Sequence, residues 1–225
     1  GTFAQLYDLI NPAAAGSTIT LSNNYKFVAG DDDAYKSGII IDKELTINGD
    51  GHTIDGSNLA RIFYTQGEEK ITLNNLVLIN GNAGDGDGGA IIWSGALGDV
   101  EYSNFVNNTA AKRGGAVYLQ GTIDANCTDT NFTDSYFRNN TAGTNGGAID
   151  WHAGSRNGNV SYCSFENNIA NRSAGAVYWS GLNGTILHSN FTANKALGIA
   201  IGPMPNGTLT YGGDAGAVMW TGALG

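Results

Sequence analysis

The hydrophobic and polar positions of this chain fall into a pattern that keeps returning. Phe165-Glu166-Asn167-Asn168 leads, after a short gap, to Ala174-Gly175-Ala176-Val177-Tyr178-Trp179. Phe137-Arg138-Asn139-Asn140 leads in the same way to Gly146-Gly147-Ala148-Ile149-Asp150-Trp151, and Phe105-Val106-Asn107-Asn108 to Gly114-Gly115-Ala116-Val117-Tyr118-Leu119. In all three the box begins nine residues after the Phe. A degenerate copy comes first, with Leu76 in the Phe place and a box at Gly88 to Trp93. A last copy starts at Phe191, and its box is delayed to Ala215 to Trp220. Phe105, Phe137, Phe165 and Phe191 lie 32, 28 and 26 residues apart, so the constant nine-residue stretch is structural and the remainder is loop. An internal period of this length marks a solenoid or array.

Inside the box the chemistry alternates. Ile91, Val117, Ile149, Val177 and Val218 share one column; Trp93, Leu119, Trp151, Trp179 and Trp220 share another, two residues on. Between them, Ile92, Tyr118, Asp150, Tyr178 and Met219 have no common chemistry. Apolar positions at period 2 around an unconstrained one describe a strand with one buried face. Equivalent strands stacked turn on turn give parallel sheets and columns of like residues, so the predicted fold is all-β, a right-handed parallel β-helix. The Trp column reads as core packing more readily than as a sugar-stacking surface.

One domain covers 1–225. Residues 1–12 form a cap, 13–73 the N-terminal coils, and 74–225 the repeats. Thr2 to Gln5 has capping-box spacing, and Phe3, Leu6, Tyr7 and Ile10 fall at i, i+3, i+4 and i+7, which predicts a short amphipathic helix closed by Asn11-Pro12. Such a helix would cover the otherwise open first coil. Strand-like runs follow at Thr18 to Leu21, Ile39 to Asp42, Leu45 to Asn48, Thr53 to Asp55, Arg61 to Tyr64 and Ile71 to Leu73. Trp220 to Gly225 repeats the sense of Trp93 to Gly98, so an uncapped last coil within a longer parent protein is expected.

Composition fits this coil of short strands. The 34 Gly are about twice the usual share, and with Asn they supply the positive φ that tight corners need. The Asn pairs at 107–108, 139–140 and 167–168 are expected to stack as amide ladders. A net charge of −9 with scattered cations argues against nucleic acid or an anionic bilayer as partner. No apolar run approaches the ~20 residues of a membrane span. Cys127 and Cys163 sit at different repeat positions, Cys163 aligning with Ser135. Two buried free thiols is the preferred reading, with a disulfide left open.

The Gly-Gly-Ala-(Ile/Val) boxes and Phe-x-x-Asn motifs resemble the repeat of chlamydial polymorphic membrane proteins, which are surface adhesins. The run from Gly38 to Gly56 is similar to adhesin-like proteins of methanogenic archaea. The resemblance implies a β-helix on a cell surface, used for attachment to other cells. Ala174 and Ala215 depart from it by opening the last two boxes in place of Gly, as does Leu76.

Candidate chemistry is sparse. A glycosidase needs two carboxyl groups facing one cleft. The available acids are Asp31 to Asp33, Asp85 and Asp87 in a Gly-rich stretch, and Asp150. Asp85 and Asp87 are weak metal candidates beside the alternative of a solvated turn, since no bidentate Glu follows at the right spacing. His152 and His188 have no Asp or Ser neighbour in their repeat column. Catalysis and a cofactor are therefore not expected. Binding residues are sought in the outward column Ile92, Tyr118, Asp150, Tyr178, Met219, and in the long excursion from Ala196 to Gly213 with Pro203, Pro205 and Tyr211. Of the Asn-x-Ser/Thr sequons, Asn183 and Asn206 are the surface candidates for glycosylation. The expected protein is a non-enzymatic adhesin domain, extracellular and anchored as part of a longer chain. It would bind a surface protein or glycan of another cell, as a monomer or weakly associating through its open end. A carbohydrate-active β-helix enzyme and a structural envelope protein are the alternatives.

Overall fold

The computed structural model describes residues 1–94, 97–121, 129–198, 201–203, 209–210 and 215–222. Three seven-stranded parallel sheets run its length, each successive strand of a sheet coming from the next turn of the chain. The fold is a parallel β-helix. The first sheet runs from Ser17–Thr20 to Thr185–Leu187, the second from Tyr25–Lys26 to Asn190–Thr192, and the third from Ile39–Ile41 to Val218–Trp220. A fourth, four-stranded sheet of two-residue strands lines the corner after the second. Sequence periodicity gave no sign of it, because two residues are too few to show alternation.

The chain begins with the helix Phe3–Ile10. Thr2 and Gln5 complete its capping box, and Phe3, Leu6 and Ile10 are buried, while Tyr7 packs on Tyr35 with ring centroids 4.9 Å apart. Asp32 is part of this cap. Its buried carboxylate accepts from the backbone N–H groups of Phe3 (3.1 Å), Ala4 (2.8 Å) and Val28 (2.8 Å), satisfying donors that a helix N-terminus leaves free. The predicted strands of the N-terminal coils all form, with ends shifted by up to two residues.

In-register stacking fixes the core. Phe105, Phe137, Phe165 and Phe191 lie on one axis, with ring centroids 4.6, 4.8 and 4.8 Å apart and planes within 6°. Leu78, not Leu76, takes the Phe place in the preceding turn. It pairs with Phe105 as the inward-facing centre of the strand Val77–Ile79, whereas Leu76 sits at the corner before it. The second Asn of each pair forms the expected ladder. Asn108 Nδ2 donates to Asn140 Oδ1 (3.0 Å), Asn140 to Asn168 (2.9 Å), and Asn168 to Asn194 (2.9 Å). The same oxygens accept the backbone N–H of the turn before, and the same amides donate to a backbone carbonyl. The first Asn of each pair takes the left-handed conformation, with φ of 58°, 56° and 54°. Ala174 and Ala215 keep the left-handed corner of Gly146, at φ of 58° and 64°. The corner survives substitution because the turns on either side hold it.

Beside the Asn ladder runs a column of Ser103, Ser135, Cys163 and Ser189. Each hydroxyl donates to the carbonyl two residues back, and Cys163 Sγ does the same to Ser161 O at 3.3 Å. Cys163 is a free, buried thiol, its pKa pushed up to about 11 by burial. Cys127 lies outside the described residues.

The Trp column is core. Trp93, Trp151 and Trp179 are fully buried, and Trp151, Trp179 and Trp220 stack at 4.1 and 4.7 Å. Each fully buried indole presses on a glycine within or just before a strand of the first sheet. A Cβ at Gly98, Gly158 or Gly184 would come within 1.9, 2.0 or 1.9 Å of Trp93, Trp151 or Trp179. Where Leu119 replaces Trp, Thr130 occupies the glycine position, paired with Gly98 in register. The two columns trade volume at constant sum. At the last turn Ile186, Phe191, Val218 and Trp220 are only partly buried.

Two stability outcomes follow. Asn140→Ala strands the Asn108 and Asn168 amides, and should lower unfolding free energy by about 3 kcal/mol, read from the denaturant midpoint at unchanged slope. Leu119→Trp alone overpacks the core and should cost about 1–3 kcal/mol. Adding Thr130→Gly should recover most of that loss.

Candidate functional site: a cationic cleft beside the third sheet

The loops leading into the boxes are held in register like the strands. The backbone N–H of Lys112 donates to Gly86 O (3.1 Å), that of Thr144 to Lys112 O (2.7 Å), and that of Arg172 to Thr144 O (2.9 Å). Lys112, Thr144 and Arg172 therefore form a column, each two residues before its box. The adjoining column is Asp87, Arg113, Asn145 and Ser173, tied by the N–H groups of Gly88, Gly114 and Gly146. With strands about 4.8 Å apart, the backbones of Lys112 and Arg172 stand roughly 10 Å apart along the axis.

Arg113 is the node of the site. Its Nε and Nη2 each lie 2.9 Å from an oxygen of Asp87, a bidentate pair, and its backbone N–H donates to the same carboxylate at 3.0 Å. The guanidinium lies over the Tyr118 ring, 4.3 Å from its centroid. Its Nη1 reaches the His152 ring nitrogens at 3.1 and 3.2 Å. His152 Nδ1 lies 3.9 Å from Asp150 Oδ1, yet both Asp150 oxygens lack a hydrogen-bond partner among the described residues and are sealed from solvent. Burial pushes the Asp150 carboxyl well above its ordinary range; Arg113 only partly opposes this, and Asp87 adds to it. Burial, then the charge of Arg113, lowers His152, so the imidazole is neutral at physiological pH. Burial also raises Tyr118 against the pull of Arg113.

Next to this cluster opens a cleft of about 540 Å³, walled by Lys112, Arg113, Thr144, Asn145, His152, Ala153, Arg172, Tyr178 and Ser180. That size is typical of small-ligand sites. Its wall carries three cations and no carboxylate, on a chain of net charge −9. Asp87 already neutralises Arg113. Lys112 and Arg172 have no acidic partner within 4 Å among the described residues. Thr144 Oγ1 and Asn145 Oδ1 have no hydrogen-bond partner among the described residues but are closed off from the cleft's solvent, whereas the Ser180 hydroxyl on the wall donates to Trp151 O at 3.1 Å.

The predicted outward column exists in register from Ile92 to Met219. It is not the exposed strip expected. Tyr118 and Asp150 are buried because Arg113 and His152 fold over them, while Ile92, Tyr178 and Met219 are part-buried. Only Tyr178 of the column lines the cleft. Asp87 is no solvated turn residue, since Arg113 takes its carboxylate, and Asp85 is exposed beside it. The described residues hold no group of three His, Cys, Asp or Glu set to bind a metal. His152 does have an acidic neighbour, Asp150, on its own turn. His188 instead stacks on Tyr162 at 5.0 Å. Asn183 is exposed, with its amide donating to Asn157 at 3.3 Å. Pro203 lies in a short antiparallel pair, Ile201–Pro203 with Leu209–Thr210. Pro205, Asn206 and Tyr211 fall outside the described residues. Sequence reasoning passed over Lys112, Arg172, Thr144 and Asn145; their constant offset before the box was the available signal.

The Chlamydia polymorphic membrane protein (Chlamydia_PMP) repeat matches residues 102–120 and 134–150. These stretches hold two Phe-x-Asn-Asn corners, one whole box and the second as far as Asp150, with Arg113 and Tyr118 among them. The chain is thus similar to that repeat over two of its turns. No curated protein and no solved structure gives a significant match. Among the described residues no helix is long and apolar enough to cross a membrane.

Asp150 sets a pH dependence. The folded chain keeps a proton that the unfolded chain releases above about pH 4. Its contribution to stability is complete below that pH and is lost as pH rises through the raised folded value. Comparison with Asp150→Asn isolates this contribution from that of His152. The variant should gain on the parent in denaturant midpoint as pH rises from about 4 to 8; a constant difference would mean that Asp150 is ionised in the fold.

Proposed function

We propose that this chain is the recognition part of a cell-surface protein, attaching its cell to another cell or to surface glycans without chemical turnover. The similarity of residues 102–120 and 134–150 to a membrane-protein repeat carries the reading. The fold supports it. A rod of stacked turns holds its core through internal columns and leaves the loops before each box free to vary. The cationic cleft is built from those loops. On this reading the chain works outside the cell as part of a longer protein and uses no cofactor.

A carbohydrate-active enzyme has one observation in its favour, the buried Asp150 beside His152, whose carboxyl burial pushes well above its ordinary range. A buried carboxyl with a raised pKa is the usual general acid. Against it, Asp150 is sealed, and the nearest other carboxylate of the cluster, Asp87, is held by Arg113.

The immobilised chain should retain cells or surface glycans that a heat-unfolded sample does not. Incubated with soluble polysaccharides, it should release no product. Steady product release that disappears in Asp150→Asn would assign the chain to the enzymes instead.

A further inference from the structure

We infer that the cleft between the box-leading loops binds an acidic saccharide, whose negative groups are held by Arg172 and Lys112 and whose hydroxyls meet Ser180. The inference names the ligand of the surface proposed above, and rests on that reading only in taking this face as the one that recognises.

The wall sets the ligand's chemistry. Two cations without an acidic partner, in a protein of net charge −9, make a local positive field against the sign of the whole. A neutral ligand would leave them unmatched, and a cationic one would be repelled. The groups around them do not deepen a negative field. Asp87 is spent on Arg113, and burial pushes the Asp150 carboxyl toward its protonated form. His152 stays neutral.

Anionic groups alone do not fill the site. Ser180, on the cleft wall, spends its hydroxyl proton on Trp151 O at 3.1 Å, so its oxygen can only accept. A carboxylate or sulfate has no proton to give it; a sugar hydroxyl does. Half-buried Tyr178 adds an aromatic wall of the kind on which the C–H face of a pyranose rests. Cations, an acceptor and an aromatic ring in one cleft call for negative charge, hydroxyl donors and a flat apolar face together. An acidic sugar carries all three; an acidic peptide carries the first but not the hydroxyls.

Because Lys112 and Arg172 stand two turns apart, roughly 10 Å along the axis, the ligand is an oligosaccharide running parallel to the rod, with more than one charged unit.

The test uses the whole chain with four probes: polygalacturonate oligomers for carboxylate, heparin-derived oligosaccharides for sulfate, neutral cello-oligosaccharides, and a poly-glutamate peptide. Binding is measured by calorimetry at two salt concentrations. One or both acidic saccharides should bind and weaken with salt, while the neutral saccharide and the peptide should not bind. Arg172→Ala should weaken acidic binding at least tenfold, and Lys112→Ala with Arg172→Ala should abolish it. Ser180→Ala should weaken it without changing the salt dependence. Arg138→Ala, on the second sheet, should leave it unchanged. Equal binding of poly-glutamate, or acidic binding indifferent to Arg172→Ala, overturns the inference. Cell attachment measured on the same variants separates the two readings. Attachment without acidic-saccharide binding overturns the cleft and leaves the attachment role standing. Acidic-saccharide binding without attachment upholds the cleft and removes that role.

Discussion

A buried amide must find partners for two donors and a two-lone-pair acceptor, and inside a stack of equivalent turns the partner on offer is the same amide one turn away. In the ladder, Asn108, Asn140 and Asn168 each place both donors, one on the next amide and one on a backbone carbonyl, and Asn194 ends it by donating to Phe165 O. Every amide bonds along the stack and to the backbone of the neighbouring turn. Satisfied, such a chain of bonds pins the register of the turns. Half satisfied, it would weigh against the fold, because an unpaired polar group in the interior costs about as much as several good apolar contacts return. The Phe stack beside it lies parallel to this ladder because the same register aligns both.

Much of this was legible in the sequence, since a solenoid writes each contact as a repetition. The Phe and Trp columns, the Asn ladder, the corner residues and the N-terminal helix could be read from spacing alone. What could not be read was whatever crosses between columns. The outer face of the third sheet repeats no chemistry, so nothing in the pattern said that Arg113 would reach Asp87 one turn back while covering Tyr118 and approaching His152 one turn on. The seal over Asp150 was invisible for the same reason. Periodicity also misplaced Leu76, because the first copy has one residue more between strand centre and box, and only pairing with Phe105 shows Leu78 to be its counterpart.

The cleft sits where the architecture is least constrained. Residues two before each box hold their place through backbone bonds to neighbouring turns, so the column does not depend on one kind of side chain. Lysine, threonine and arginine occupy the same column without any change in the turn beneath. That indifference lets one face of a rod acquire a local charge opposite to that of the whole protein. Burial helps: by pushing the Asp150 carboxyl toward its protonated form, the interior withholds negative charge that would cancel the cations above it.

The exchange of volume between the indole column and the first sheet has a bearing on how such a protein could lengthen. Trp93 and Gly98, Trp151 and Gly158, and Trp179 and Gly184 lie on successive arcs of one winding, and so do Leu119 and Thr130. A duplication whose joint falls between the members of a pair would set a bulky ring against a branched side chain, or a short chain against bare backbone. A joint falling in the arc from the second sheet to the box keeps the pair together. Ancestral copying events that survived are therefore expected to have their seams on that one side of the rod.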